Sequence, residues 1–251
     1  MDAIKQATLA LLQARRDHQP APPLSVPLPD ALAAYAVQDA VGSALAWFEG
    51  RTPRFWKSGG ATLAQQTHAP LPPQRVLPSP VDARGWPLQL RGIEAEIALR
   101  LARPVTPADA AAFRPEDTNA LIDAMCVAIE LVDSRWAQGV AAPDLCKLAD
   151  LQSHGALVLG DWVPFAPRDW SQAECTLRIG TQAPSVHRGT HPLGEPARVL
   201  GQWLRHATRH GAELAAGTVV TTGSWNGLAM AQAGDLVRAE FAGIGAASLQ
   251  L

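Results

Sequence analysis

Ile93-Glu94-Ala95-Glu96-Ile97-Ala98-Leu99-Arg100-Leu101 opens with strict alternation of apolar and acidic side chains and reads as a β-strand. Successive side chains on a strand leave opposite faces. Glu94 and Glu96 therefore share one face, while Ile93, Ala95, Ile97 and Leu99 share the other. A third acid, Glu130, lies inside a second apolar run, Val127-Ala128-Ile129-Glu130-Leu131-Val132, which reads as another strand. A lone ionised carboxylate is expensive to bury in such a run. Three carboxylates brought together repel unless a cation neutralises them, and hard oxygen ligands suit Mg2+ or Mn2+. Spacing alone leaves a plainer arrangement open, with Glu94 and Glu96 on a solvated sheet face and Glu130 paired to an arginine.

Around these strands the helical signals gather at the N-terminus. Residues 2–17 carry Ile4, Leu9, Leu11 and Leu12 on an amphipathic helix with Asp2 as its N-cap. After a proline-rich connector, Asp30 opens a second helix running to about Phe48, stopped by Gly50. Arg54 to Gly60 reads as a short strand entering a glycine turn, and the proline-dense stretch 67–80 as an extended loop. A helix is expected over 115–126, feeding the strand that holds Glu130. Strands follow near 156–159 and 174–179, then a helix over 196–210 closed by Gly211. Strands 217–222, 235–241 and 246–251 end the chain, the last two joined by Ala242-Gly243-Ile244-Gly245. Helices first and strands afterwards, without regular βαβ alternation, predict an α+β fold. Residues 1–50 would form a helical region and 51–251 a catalytic domain, together one functional unit.

The 251 residues include 47% hydrophobic and 18% charged side chains, as in ordinary globular proteins. A net charge of −2 with scattered Lys and Arg speaks against nucleic acid or an anionic membrane as a partner. Cys126, Cys146 and Cys175 form no CxxC pair, so reduced, buried thiols are expected rather than a disulfide frame or zinc site. No signal peptide or bilayer-spanning run is recognisable, which makes the cytoplasm the expected compartment. The pairs His206/His210 and His187/His191 are four apart but lack a third ligand, so they carry no zinc reading.

Gly92 to Ala98, taken with Ala128-Ile129-Glu130-Leu131-Val132-Asp133-Ser134-Arg135, resembles the 2-keto-4-pentenoate hydratase and 4-oxalocrotonate decarboxylase family of the fumarylacetoacetate hydrolase superfamily. Tyr35-Ala36-Val37-Gln38, Trp56-Lys57-Ser58-Gly59, Ala149-Asp150 with Ser153 and the run Gly155 to Gly160 resemble further family stretches in order. Thr221-Thr222-Gly223-Ser224 and Ala233-Gly234-Asp235 do so near the C-terminus. The resemblance covers roughly residues 30–251. It implies a fumarylacetoacetate hydrolase C-terminal-like fold, a twisted, mixed β roll with N-terminal helices. It also implies Mg2+ or Mn2+ held by Glu94, Glu96 and Glu130, with a small α-keto acid or dienol as substrate. A homo-oligomer is implied as well, and in this lineage a hydratase and a decarboxylase are known to associate.

Under that resemblance, Lys57 is the candidate for proton transfer, its pKa lowered beside the metal, or else a fixed cation for the substrate carboxylate. Ser153 and Ser224 are candidates to hydrogen-bond substrate oxygens, Ser153 near the reacting atoms and Ser224 in binding. Asp133 and Arg135 read as supporting partners. The match departs at Ala69-Pro70-Leu71-Pro72-Pro73, where the family carries Pro-Asp-Tyr/Phe-Gly: Leu71 stands in the aspartate's place. Leu151 likewise replaces the asparagine of an Ala-Asp-Asn stretch. His68 or His154 are the candidates to take over acid–base work. The reading is thus a metal-dependent lyase, first as a hydratase of 2-hydroxy-2,4-dienoates. The alternatives are a decarboxylase of 2-oxo-enedioates and a non-catalytic partner subunit of the same fold.

Overall fold

The computed structural model describes residues 2–251. Two long strands, β5 (Gly92–Leu101) and β6 (Ile122–Val132), pair antiparallel at the centre of the molecule. Before them come β1 (Phe55–Gly59), β2 (Thr67–Pro70), β3 (Val76–Pro78) and β4 (Val81–Asp82). After them come β7 (His154–Leu159), β8 (Val163–Pro164), β9 (Glu174–Ile179) and β10 (Ser185–Arg188). The last are β11 (Val219–Thr221), β12 (Ala229–Met230), β13 (Leu236–Phe241) and β14 (Gly245–Gln250). Among the described residues a nine-stranded sheet runs β2-β1-β11-β5-β6-β7-β3, with β12 on β5 and β8 on β6. A five-stranded sheet runs β10-β9-β13-β14-β4.

Both faces of the large sheet are covered, which is why β5 and β6 are apolar almost throughout. Ile93, Ala95, Ile97 and Leu99 join Val127 and Ile129 in the main core, against Val237, Ala239, Phe241, Ala247 and Leu249 of the smaller sheet. The opposite face holds a smaller apolar cluster of Leu71, Ala98, Cys126, Ala128, Leu157 and Val219. The carboxylates stand on that second face.

The helices are α1 (Ala3–Asp17), α2 (Ala31–Ala44), α3 (Pro107–Ala112), α4 (Thr118–Leu121), α5 (Asp144–Ala149) and α6 (Leu200–Ala207). Asp30 caps α2 by accepting the Ala33 N–H at 2.8 Å. Ala7 and Leu11 of α1 pack with Ala34 and Val37 of α2 around Trp136, forming a core of their own. None of these helices is long and apolar enough to cross a membrane. Cys126, Cys146 and Cys175 are buried free thiols.

Several segments differ from the sequence expectation, among them α2, which ends at Ala44 rather than near Phe48. The helix expected over 115–126 shrinks to a 3-10 turn, Pro115–Asp117, and α4; the chain is already in β6 at Ile122. Ile122 pairs with Leu101 and Ala124 with Arg100, so strand pairing overrides helix propensity there. A strand apolar on both faces shows no period to separate it from a buried helix. The proline-dense stretch 67–80 contains β2 and β3, which are the two ends of the large sheet's path. Edge positions tolerate the missing N–H of Pro70 and Pro78. The helix expected over 196–210 begins as a 3-10 turn, Pro196–Val199, and ends at Ala207.

Candidate metal centre

The β5–β6 register places Glu94 directly opposite Glu130. Glu96 follows two residues on, so one oxygen from each of the three carboxylates lies within 4.8 Å of the others. Neighbouring strands add the surroundings. β11 brings Thr221 beside Ala98 of β5, and β1 brings Lys57 beside Thr221. Lys57 donates to Glu130 Oε1 at 2.5 Å and to the Gln152 carbonyl at 3.2 Å. Thr221 Oγ1 donates to Glu96 Oε2, which also accepts the Gly223 N–H at 2.8 Å. Gly223 has φ +112°, a conformation that side chains rarely adopt, so glycine is what lets the chain turn its N–H onto Glu96.

Just beyond Glu130 the pairing of β6 with β7 shifts register between Leu131 and Val132. The shift sets His154 opposite Val132, with Nδ1 3.3 Å from Glu130 Oε1. Gly155 makes it possible, since a Cβ there would lie 2.6 Å from the Leu131 carbonyl oxygen. Asn226 substitutes for a strand on the other side of Glu94, accepting from Ala95 N at 2.6 Å and donating to Ile93 O at 3.0 Å.

Leu151, Gln152 and Ser153 have φ of 53°, 54° and 58° in succession. Three consecutive non-glycine residues in the left-handed region cost about 1–2 kcal/mol each. The turn is held by Ser153 N to Asp150 O at 2.9 Å, Asp133 N to Ser153 O at 2.8 Å, and Gln152 Nε2 to Thr67 Oγ1. Asp150 beneath it is fully buried and takes Arg135 Nε at 2.7 Å and Arg15 at 3.0 Å. This strained turn presents the Gln152 carbonyl to Lys57. The sequence reading gave no role to Gln152 or Asn226, and quoted Thr221 and Gly223 only as part of a family-like stretch without assigning them to Glu96.

Burial and the nearby Glu130 push Glu94 up to about 8, and the same two causes push Glu96 up to about 7. Glu130 goes the other way: although burial opposes it, Lys57 and His154 hold its carboxyl below the usual range. Burial works against the Lys57 ammonium, but Glu130, Glu94 and Glu96 outweigh it and raise its pKa. With the carboxylates not neutralised by a cation, Lys57 is held protonated; the lowered pKa expected from the sequence is that of the metal-bound site. Three carboxylates against one ammonium leave two negative charges, the complement of a divalent cation. Glu130 Oε2 is buried without a hydrogen-bond partner among the described residues. Hard donors, matching charge and an orphaned oxygen all fit a divalent ion.

A cavity of about 350 Å³ opens over the cluster, lined by Lys57, Glu94, Glu96, Gln152, Pro192 and Ser224 among others. Ser224 lies on its wall, with Oγ donating to the Gly227 carbonyl at 2.6 Å. Ser153 is 4% exposed and its Oγ has no partner among the described residues, but it does not line this cavity. His68 is also off the wall. Its Nδ1 lies 2.9 Å from Ser58 Oγ, and burial together with Arg209 pulls it down to about 4. Leu71 is fully buried in the apolar cluster with Ala98, Cys126 and Ala128, so no acid stands there. Asp133 accepts the N–H groups of Gln89 and Leu90 at 2.9 and 2.6 Å, tying a loop to the end of β6.

Residues 38–251 match the family model described as fumarylacetoacetate (FAA) hydrolase C-terminal, and the chain belongs to that family. Among solved structures it is similar to 4-oxalocrotonate decarboxylase from Pseudomonas putida G7, complexed with magnesium and adipate. That likeness has a TM-score of 0.80 at 18% identity, over 98% of this chain and 96% of that one. Fumarylpyruvate hydrolase from Pseudomonas aeruginosa, in complex with Mn2+ and pyruvate, matches at TM-score 0.56 and 13% identity, over 79% and 89%. The 2-hydroxyhepta-2,4-diene-1,7-dioate isomerase from Mycobacterium marinum matches at 0.52 and 15%, over 80% and 75%. At such identities these are likenesses of fold. The N-terminal helices lie within the first of them.

Proposed function

We propose that this chain is a divalent-metal-dependent lyase acting on a small 2-oxo acid or its dienol, with decarboxylation of a 2-oxo-enedioate as the leading reaction. One observation carries it: three carboxylates with two uncompensated negative charges lie under a cavity whose other titratable wall group, among the described residues, is Lys57. Mg2+ or Mn2+ on Glu94, Glu96 and Glu130 would supply Lewis-acid stabilisation of negative charge developing on the substrate's 2-oxo oxygen.

The chain's own residues do the rest. Lys57, kept as an ammonium by Glu130, places a positive donor at the cavity wall, where it can hold a substrate carboxylate or release a proton to carbon. The Gln152 carbonyl and Glu130 orient that ammonium. Ser224 offers a hydroxyl on the wall, while the buried Ser153 Oγ is kept as a candidate one layer away.

Loss of CO2 breaks one C–C bond, leaves its electron pair in the conjugated enolate, and needs a single proton returned to the product. Hydration needs more: a base for the attacking water and an acid for carbon. With Leu71 in the apolar cluster, the wall offers one such group rather than two, which favours decarboxylation over the hydratase reading. The likeness to a decarboxylase holding the dicarboxylate adipate agrees with this, as a likeness of fold.

The test is an assay with Mg2+ or Mn2+ against a 2-oxo-enedioate and a 2-hydroxy-2,4-dienoate. CO2 release supports the proposal, and water addition alone shifts it to hydration. Metal binding with neither activity would instead make the chain a non-catalytic partner in a hydratase–decarboxylase assembly.

A further inference from the structure

A second cavity of about 910 Å³ lies beside α1 and shares no wall residue with the metal pocket. Four guanidinium groups line it, those of Arg15, Arg16, Arg75 and Arg135. Two carboxylates face them and both are already engaged. Asp150 takes Arg15 at 3.0 Å and Arg135 at 2.7 Å. Asp133 accepts two backbone N–H groups and stands 4.0 Å from Arg135. Among the described residues no carboxylate lies within 4.0 Å of Arg75 or Arg16, so two positive charges remain in excess.

Arg75 is held in a way that leaves its edge free, while Arg15 spends one N–H group on Asp150. Arg75 Cζ sits 4.6 Å from the centre of the Trp86 ring, and Arg15 Cζ 4.9 Å from that of Trp47. An indole on the guanidinium face keeps it oriented while its N–H groups stay available for a planar oxyanion. Arg15 Nε is buried without a partner among the described residues. His154, 2% exposed, also lines this cavity, and its Nε2 has no partner either. Burial, together with the repulsion of Arg135 and Arg75, brings Arg15 down to about 9. Apolar wall is supplied by Leu12, Trp47, Trp86, Pro87 and Leu88.

We infer that this cavity is a binding site for a small organic oxyanion, a carboxylate or phosphate head on an apolar body, separate from the metal pocket. The head would sit between Arg75 and Arg15, with its body against the indoles. The inference rests on no part of the proposed lyase reaction.

The experiment is calorimetric titration of the EDTA-treated protein with phenyl phosphate, benzoate and inorganic phosphate. EDTA removes any cation that would draw an anion into the metal pocket, and the Glu96→Gln variant reports any binding that remains there. Saturable 1:1 binding of phenyl phosphate or benzoate is expected, tighter than inorganic phosphate, and whichever binds more tightly identifies the head group. Arg75→Gln should weaken it about tenfold or more, the scale of one lost charge-assisted hydrogen bond. Glu96→Gln should leave it unchanged. Arg75 has no carboxylate partner, so its replacement spares the fold, which an unchanged melting curve verifies. No saturable binding, binding indifferent to Arg75→Gln, or equal binding of inorganic phosphate would each overturn the inference.

Discussion

Glu94 and Glu130 are direct cross-strand partners in the β5–β6 ladder. Like charges placed opposite one another destabilise a sheet. Here Glu130 is fully buried and Glu94 half-buried, and the buried Glu96 stands beside them. The protein relieves part of the repulsion by giving Lys57 to Glu130. What remains is an excess of negative charge that a divalent cation would balance.

That excess has a pH signature. Glu94 and Glu96 are raised to about 8 and about 7, so without metal they hold protons near neutrality. Metal binding must displace those protons. Affinity should therefore fall as pH drops below about 7, by up to about two log units per pH unit. Calorimetry of Mg2+ binding in buffers of different ionisation enthalpy counts the protons released. Release of none at pH 6.5 would contradict the assignment.

The same shifts set the stability of the metal-free protein. Folded-state values above the unfolded value of 4.5 mean that stability is fully present below pH 4.5 and is lost as pH rises through about 7 and 8. The Tm gain on adding Mg2+ should thus be larger at pH 8 than at pH 6. For a chain of this size, roughly 2–4 °C corresponds to each kcal/mol. Thermal melts at the two pH values, with and without the ion, read the difference directly.

Lys57→Met separates binding of the cation from turnover. Removing the ammonium leaves three carboxylates without their partner, so metal affinity should hold or rise. Activity should fall at least about 100-fold, since the wall loses its one proton-bearing group besides the glutamates. A variant that keeps full activity would remove Lys57 from the reaction.

Leu71→Asp tests whether the family's aspartate could simply be restored. The side chain is fully buried among Ala98, Cys126, Ala128, Leu157 and Val219, none of which can pair a carboxylate. The substitution should cost about 3 kcal/mol or more. Denaturant unfolding measures it, and an unchanged midpoint would show that the cluster admits water or a partner.

Asp150→Asn removes the shared acceptor of Arg15 and Arg135 under the left-handed turn. Breaking a buried ion pair from one side costs about 3–5 kcal/mol. The loss should appear in unfolding curves and be accompanied by lower activity at saturating metal, because the turn that orients Lys57 loosens. A loss of stability with unaltered activity would uncouple the turn from the site.

Much of this was readable in the chain. Alternation around Glu94 and Glu96, and a lone acid in the Glu130 run, place three carboxylates on strands from the sequence alone. The α+β class followed from helices first and strands afterwards. The start of β6 was not readable, because residues 122–126, all but the exposed Asp123, are buried on a strand with no period to distinguish it from a helix. The left-handed turn at 151–153 escaped for a related reason: without glycine, nothing local predicts positive φ, and tertiary contacts alone enforce it. Lys57 enters the reading through the resemblance alone, and its proton affinity depends on distances to three carboxylates that a sequence does not contain.

Calorimetric titration of Mn2+ into the wild-type protein and into Glu130→Gln tests the central claim most directly. One cation per chain should bind to the wild type, and the variant should lose affinity by about 100-fold or more, as expected when a buried charged ligand is neutralised. Absence of saturable binding to the wild type, or equal affinity in the two proteins, would contradict the account.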